Sequence, residues 1–153
     1  MSMAELVSAM DIIFANPSQG LFVGPRDSNL IAKAESALGG ALPPTYREFV
    51  RRLGAGGFGS CEIYGVIDDE FEHSAVPNGV WLTLNERRES GLPKELFIVG
   101  STGDGDYYCL EMRNGRESPV ILYRPGLPMH QQTREKVAED FGEFFLGRVR
   151  EQV

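Results

Sequence analysis

The chain has 153 residues, 42% of them hydrophobic and 24% charged, a balance that belongs to one soluble globular domain and excludes an intrinsically disordered chain. Fifteen basic against twenty-two acidic side chains leave a net charge of −7, which disfavours nucleic acid and anionic membranes as partners and favours a basic one. No apolar run approaches the ~20 residues that span a bilayer. Glu5 and Asp11 stand where a leader would carry basic residues, and two isolated cysteines, Cys61 and Cys109, read as buried thiols, so the expected location is cytoplasmic.

In chain order, Ser2 and Glu5 form a capping-box pair, and Met3, Leu6, Val7, Met10, Ile13 and Phe14 follow at helical spacing until Asn16-Pro17 stops the helix. Residues 17–27 read as a connector, which sets 1–27 apart as an N-terminal helix and connector before a domain at 28–153. Ser28 is a candidate N-cap for a helix carrying Leu30, Ile31, Ala34, Ala37 and Leu38, ended by Gly39. Pro44 suits a first helical position, where its missing N–H leaves no bond unmade. Tyr46, Phe49, Val50 and Leu53 then form one apolar stripe, with Arg47, Glu48, Arg51 and Arg52 on the other side and Gly54 closing the helix.

Strand candidates dominate the middle: Cys61–Ile67, Val80–Asn85, Leu96–Gly100, Asp106–Met112 and Val120–Tyr123. Asn114-Gly115 is a strong hairpin signal between the last two, and Pro119 marks either an edge position or a bulge. Thr133 is a candidate cap for a last helix with Val137, Phe141, Phe144, Phe145 and Arg148–Val149 on its face. Helices at both ends of a hairpin-rich middle predict an α+β fold, a single domain with a mainly antiparallel sheet covered by helices. Strands that do not alternate with helices disfavour a doubly wound parallel sheet.

Gly54, Gly56 and Gly59 fit G-x-G-x-x-G, yet a phosphate loop needs a strand before it and a helix after it, so that a helix N-terminus faces the anion. Here a helix comes first and a strand follows. The glycines read as a helix stop.

The run Glu35, Leu38, Gly39, Leu42, Pro43, Tyr46 and Phe49, in the pattern E-x-x-L-G-x-x-L-P-x-x-Y-x-x-F, resembles the SUKH superfamily of Smi-Knr cell-wall-assembly regulators and bacterial immunity proteins. The I-Y-G-V of Ile63–Val66 is similar to that family's first strand. FIVGSTGDGDYYCLE, Phe97–Glu111, is similar to its strand, small-residue turn and second strand. The resemblance spans roughly Ser28 to Tyr123 and rests on the order of several short motifs.

No catalytic group, metal site or cofactor is expected from the residues. Glu70-x-x-His73 has the spacing of a helical metal pair but lacks further ligands. Ser101 sits in G-S-T-G without a nucleophile elbow or a base. His130 follows Pro128-Met129 in a turn. Asp104-Gly105-Asp106 begins like a calcium loop and then lacks the later ligands, so a β-turn explains it better. Trp81 lies in V-W-L-T-L and reads as core before contact.

Charge is what remains. Asp68, Asp69, Glu70 and Glu72 run together around Phe71 and His73, and Asp104 and Asp106 adjoin Tyr107 and Tyr108. Such loops are either plain solvated surface or a face for a basic protein partner, where charge steers and rings supply contact. The clustering of these six carboxylates in turns makes them the expected partner-binding residues, and the resemblance implies binding, often by an immunity protein that blocks a polymorphic or contact-dependent toxin. The alternatives are a regulatory or scaffold module of the Smi-Knr type and a nucleotide binder built on Gly54–Gly59. The last would need phosphate-contacting cations, and only Arg51 and Arg52 are close.

Overall fold

A computed structural model describes residues 2–153 and is a single α+β domain with antiparallel sheets, as helices at both ends of a hairpin-rich middle predict. Among the described residues, five helices surround two sheets: α1 (Ser2–Ala15), α2 (Ser28–Leu38), α3 (Pro44–Leu53), α4 (Gly79–Glu89) and α5 (Phe141–Arg150). The first sheet orders β1 (Gly20–Phe22), β2 (Gly56–Phe58) and β3 (Cys61–Ile63). The second orders β4 (Leu96–Ser101), β5 (Tyr107–Glu111), β6 (Val120–Tyr123) and β7 (Lys136–Ala138). Just past β3, the Tyr64 N–H donates to the Val99 carbonyl at 2.8 Å and ties the two sheets together.

Strand alternation divides the core in two. From the second sheet, Phe97, Val99, Leu110 and Val120 face the main core with α1, α2, α3 and α5. Leu96, Ile98, Cys109, Ile121 and Tyr123 face a smaller cluster with Leu82 of α4. Burial on both faces makes β4 a continuous apolar run. The α3 stripe read from the sequence fills the centre. Tyr46 and Phe49 pack rings with Phe141, at 5.1 and 5.4 Å between centroids, and the Tyr46 hydroxyl donates to the Tyr64 carbonyl at 2.8 Å. Aromatic pairs in tilted and edge-on contact add to the area they bury.

Several local expectations are corrected. Val80–Asn85 is helical, inside α4. The buried Asn78 caps it, its side-chain oxygen accepting from the Trp81 N–H at 3.0 Å. The helix lies between the two clusters: Val80 and Leu84 turn to the main core, Trp81 and Leu82 to the smaller one, so apolar residues fall on opposite sides and imitate a strand. Asp27, not Ser28, caps α2, accepting from the Leu30 N–H at 2.8 Å. Ser2 lies within α1 rather than capping it, and its hydroxyl accepts from the Gly142 N–H at 3.1 Å.

The last helix begins later than expected, at Phe141, where the Asp140 side chain accepts from the Glu143 N–H. Val137 is exposed on β7, whose pairing with β6 slips between Val120 and Ile121, so of the two readings of Pro119 the irregularity is the one found. The 17–27 connector contains β1, and Cys61–Ile67 is a strand only to Ile63. The hairpin turn is as read: Asn114 and Gly115 both take positive φ, 52° and 74°, between β5 and β6.

The first sheet has one face in the core and one in solvent. Its register aligns Phe22, Gly56 and Ile63 inward, and Leu21, Gly57 and Glu62 outward. Alpha-1 is no appendage: it packs along α5, and a side-chain carbon on Gly142 would lie 2.0 Å from the Ser2 carbonyl oxygen.

Candidate functional site

The acidic run lies on the long loop between β3 and α4, and all four carboxylates are exposed. The loop is held by its own bonds. Asp68 Oδ1 accepts from the Glu70 N–H at 2.9 Å, an aspartate turn, and Glu70 Oε1 accepts from the His73 N–H at 3.4 Å. Its base is bolted by Arg26, whose guanidinium donates to the Ile67 carbonyl at 2.7 Å. Its far end is fixed by Asn78, whose amide donates to the Glu70 carbonyl at 3.3 Å. Lys33 meets Asp69 at 3.4 Å and Arg88 approaches Glu72 at 3.9 Å, both surface pairs of small energetic weight. Phe71 is half-buried against the main core.

The second acidic pair lies elsewhere. Asp104 is exposed on the turn between β4 and β5, where its N–H donates to Thr102 Oγ1 at 3.2 Å, and Asp106 pairs with Arg124 at 3.5 Å. The strands locate the separation. Glu62 lies beside Gly100 and Tyr64 bonds to Val99, so β3 runs against β4. The 68–72 loop therefore departs toward one end of β4 and the 102–106 turn from the other. Among the described residues no hydrogen bond or ion pair joins the two groups.

The glycine cluster serves backbone packing. Gly54 closes α3 at φ +76°, its N–H donating to the Val50 carbonyl at 3.0 Å. A side-chain carbon on Gly56 would meet the Leu21 carbonyl oxygen at 2.2 Å. Arg51 and Arg52 are committed to Glu48, whose carboxyl is lowered to about 2, first by the Arg51 hydrogen bond.

Other candidates find structural partners. Ser101 Oγ accepts from the Gly103 N–H at 3.1 Å. His73 and His130 are exposed. Cys61 and Cys109 are free and buried in different sheets, and burial is the main cause that raises both thiols. Tyr107 is pushed up to about 12, first by burial and then by the Glu86 carboxylate, to which its hydroxyl donates at 3.1 Å. Trp81 is half-buried against the smaller cluster. Among the described residues, no group of three His, Cys, Asp or Glu is placed to hold a metal ion, and no helix is long and apolar enough to cross a membrane.

A surface that the sequence reading passed over is the outward row Leu21, Gly57 and Glu62. It opens a groove of about 600 Å³ bordered by Val23 and Pro77. Its one signal in the sequence is the i, i+2 spacing of Leu21 and Val23, hidden in a segment too short to show alternation. The helix–glycine–strand order, the buried Tyr46–Phe49 stripe and the hairpin after Phe97 all stand where the family resemblance places them. Residues 3–149 match the family model described as SMI1-KNR4 cell-wall, SUKH_5, well beyond the Ser28–Tyr123 stretch, and the chain belongs to this SUKH family.

Proposed function

We propose that the chain is an immunity protein. It binds the toxin domain of a bacterial polymorphic or contact-dependent system in the cytoplasm and neutralises it by covering a basic surface, without chemistry of its own. The observation that carries this reading is membership of the SUKH family, which includes immunity proteins. The exposed, internally braced loop of Asp68, Asp69, Glu70 and Glu72 on a chain of net charge −7 supports it. Many such toxins are nucleases whose substrate-binding surfaces are basic, and an acidic inhibitor both steers toward such a surface and blocks it.

The test is co-expression with the variable C-terminal domain of a large secreted protein encoded beside this chain. The expected result is growth rescue together with a stable one-to-one complex. A toxin domain that kills equally well with the chain present, and does not bind it, would overturn the reading.

The family's name, SMI1-KNR4 cell-wall, favours a second reading: a non-catalytic regulatory or scaffold module of the Smi-Knr type. Deletion of the gene separates the two. A scaffold leaves a phenotype without any toxin, whereas an immunity protein leaves one only when the toxin is delivered.

A further inference from the structure

We infer that the outward face of the β1–β2–β3 sheet is a docking groove for an extended segment of a partner protein that presents an apolar side chain next to a lysine or arginine. The inference rests on the protein-binding reading above and names the surface that would carry it.

The groove follows from the strand register. Leu21 pairs with Gly57 and Gly57 with Glu62, so the three stand in one outward row with no side chain at the centre. The missing side chain opens the trough. Leu21 is 84% exposed, the most exposed large hydrophobic among the described residues, and Val23, two residues on, stands on the same side. With Pro77 they give the groove an apolar wall, and Glu62 is the one charged residue among those lining it.

Glu62 makes no ion pair among the described residues. Arg26, the cation that reaches Val23, is spent on the carbonyls of Val23 and Ile67, each at 2.7 Å, and of Gly24 at 3.2 Å. The site therefore offers an apolar wall facing an uncompensated carboxylate. That is the complement of an apolar anchor beside a basic side chain.

Two further features fit an extended occupant. The Gly59 N–H bonds to the Gln19 carbonyl and the Val23 N–H to the Ala55 carbonyl, which sets the phase of the ladder. In that phase the backbone groups of Phe22 point away from β2, along the outer edge of the sheet, where an extended segment can lie alongside. The floor is also braced: Gln152 Oε1 accepts from the Ser60 N–H at 2.8 Å and fixes the β2–β3 turn, so little order has to be created on binding.

The groove is continuous with the acidic loop. Pro77, at the loop's end, lines it, and Arg26 joins Val23 to Ile67 at the loop's start. A partner seated here meets Asp68 and its neighbours as it approaches. A second copy of this chain fits poorly, because a two-fold pairing would bring Glu62 and the acidic loops of two chains of charge −7 together.

The experiment titrates the full-length, ¹⁵N-labelled chain with blocked eight-residue peptides in which leucine or phenylalanine is flanked by lysine or arginine, and with matched peptides carrying glutamate instead. Amide shifts confined to Leu21, Val23, Gly57 and Glu62, at least tenfold weaker with the acidic set, support the groove. So do loss of those shifts in Leu21→Asp and reversal of the charge preference in Glu62→Lys. Both residues are exposed, so unchanged melting temperatures are expected to accompany the loss. Shifts elsewhere, equal response to both peptide sets, no response at millimolar peptide, or concentration-dependent shifts of the same amides without peptide would each overturn it, the last by showing a second copy in the groove. The co-expressed toxin domain keeps the two readings apart. If it binds Leu21→Asp and Glu62→Lys as tightly as the native chain, the groove inference falls and the function stands; if it binds none of them, the function falls.

Discussion

Gly65 lies so close to Gly54 that a side-chain carbon at position 65 would fall 1.9 Å from the Gly54 carbonyl oxygen, the same oxygen that accepts from the Val66 N–H at 3.1 Å. The end of α3 and the chain leaving β3 are thus pressed backbone to backbone, and the base of the acidic loop inherits its position from that contact. Gly65→Ala should cost about 3 kcal/mol or more, because backbone rather than a flexible side chain blocks the added methyl. Gly147→Ala is the control: nothing lies within 4 Å of that helical position, and the change should stabilise by about 0.5–1 kcal/mol. Urea denaturation of both variants checks the pair; similar small effects would show that the close approach is not rigid.

Phe49 is fully buried, with the rings of Tyr46, Phe141 and Phe145 at 6.0, 5.4 and 5.2 Å. Phe49→Ala should cost roughly 3–5 kcal/mol, since it empties a site enclosed by rings of α3 and α5 that cannot readily collapse. A loss below about 1 kcal/mol in equilibrium unfolding would mean the ring is not part of a close-packed core.

Replacing Asp68, Asp69, Glu70 and Glu72 with serine should barely change stability, because the two ion pairs involved are exposed and a serine at 68 can still accept from the residue-70 N–H. Against the partner protein the same variant should associate several-fold more slowly and with a flatter salt dependence. Rate measurements at two ionic strengths decide it. Unchanged association would make these carboxylates solvated surface only.

Stability should fall on the alkaline side. Burial raises Cys61, Cys109 and Tyr46 above their ordinary values and lifts Tyr107 from 10.0 to about 12. A raised value means that the unfolded chain loses its proton first, so the stabilisation is whole below the unfolded value and lost as pH rises toward the folded one. Loss should begin above the ordinary thiol value of 9.0 and continue through the tyrosine range from 10.0 to about 12. Unfolding midpoints measured from neutral pH to pH 11 test this, and a flat profile would count against it. The same burial predicts slow reaction of both thiols with a disulfide reagent until denaturant is added.

What the sequence by itself determined was whatever local chemistry decides. The helices around Leu30–Leu38 and Tyr46–Leu53 show a 3.6-residue stripe between a cap and a stop, and Asn114-Gly115 takes the positive φ pair that a tight hairpin requires. The clustering of Asp68, Asp69, Glu70 and Glu72, and their exposure on a loop, were legible for the same reason. What only the tertiary structure decided depends on neighbours distant in the chain. Alpha-4 is apolar on two sides because it separates two cores, so its periodicity imitates a strand. Strands β1, β2 and β7 have three residues each, too short to show a pattern, and exist because a partner strand supplies their hydrogen bonds. The outward row of Leu21, Gly57 and Glu62 is a product of register alone. Three residues separated by 36 and 5 positions become one surface only when antiparallel pairing places them side by side.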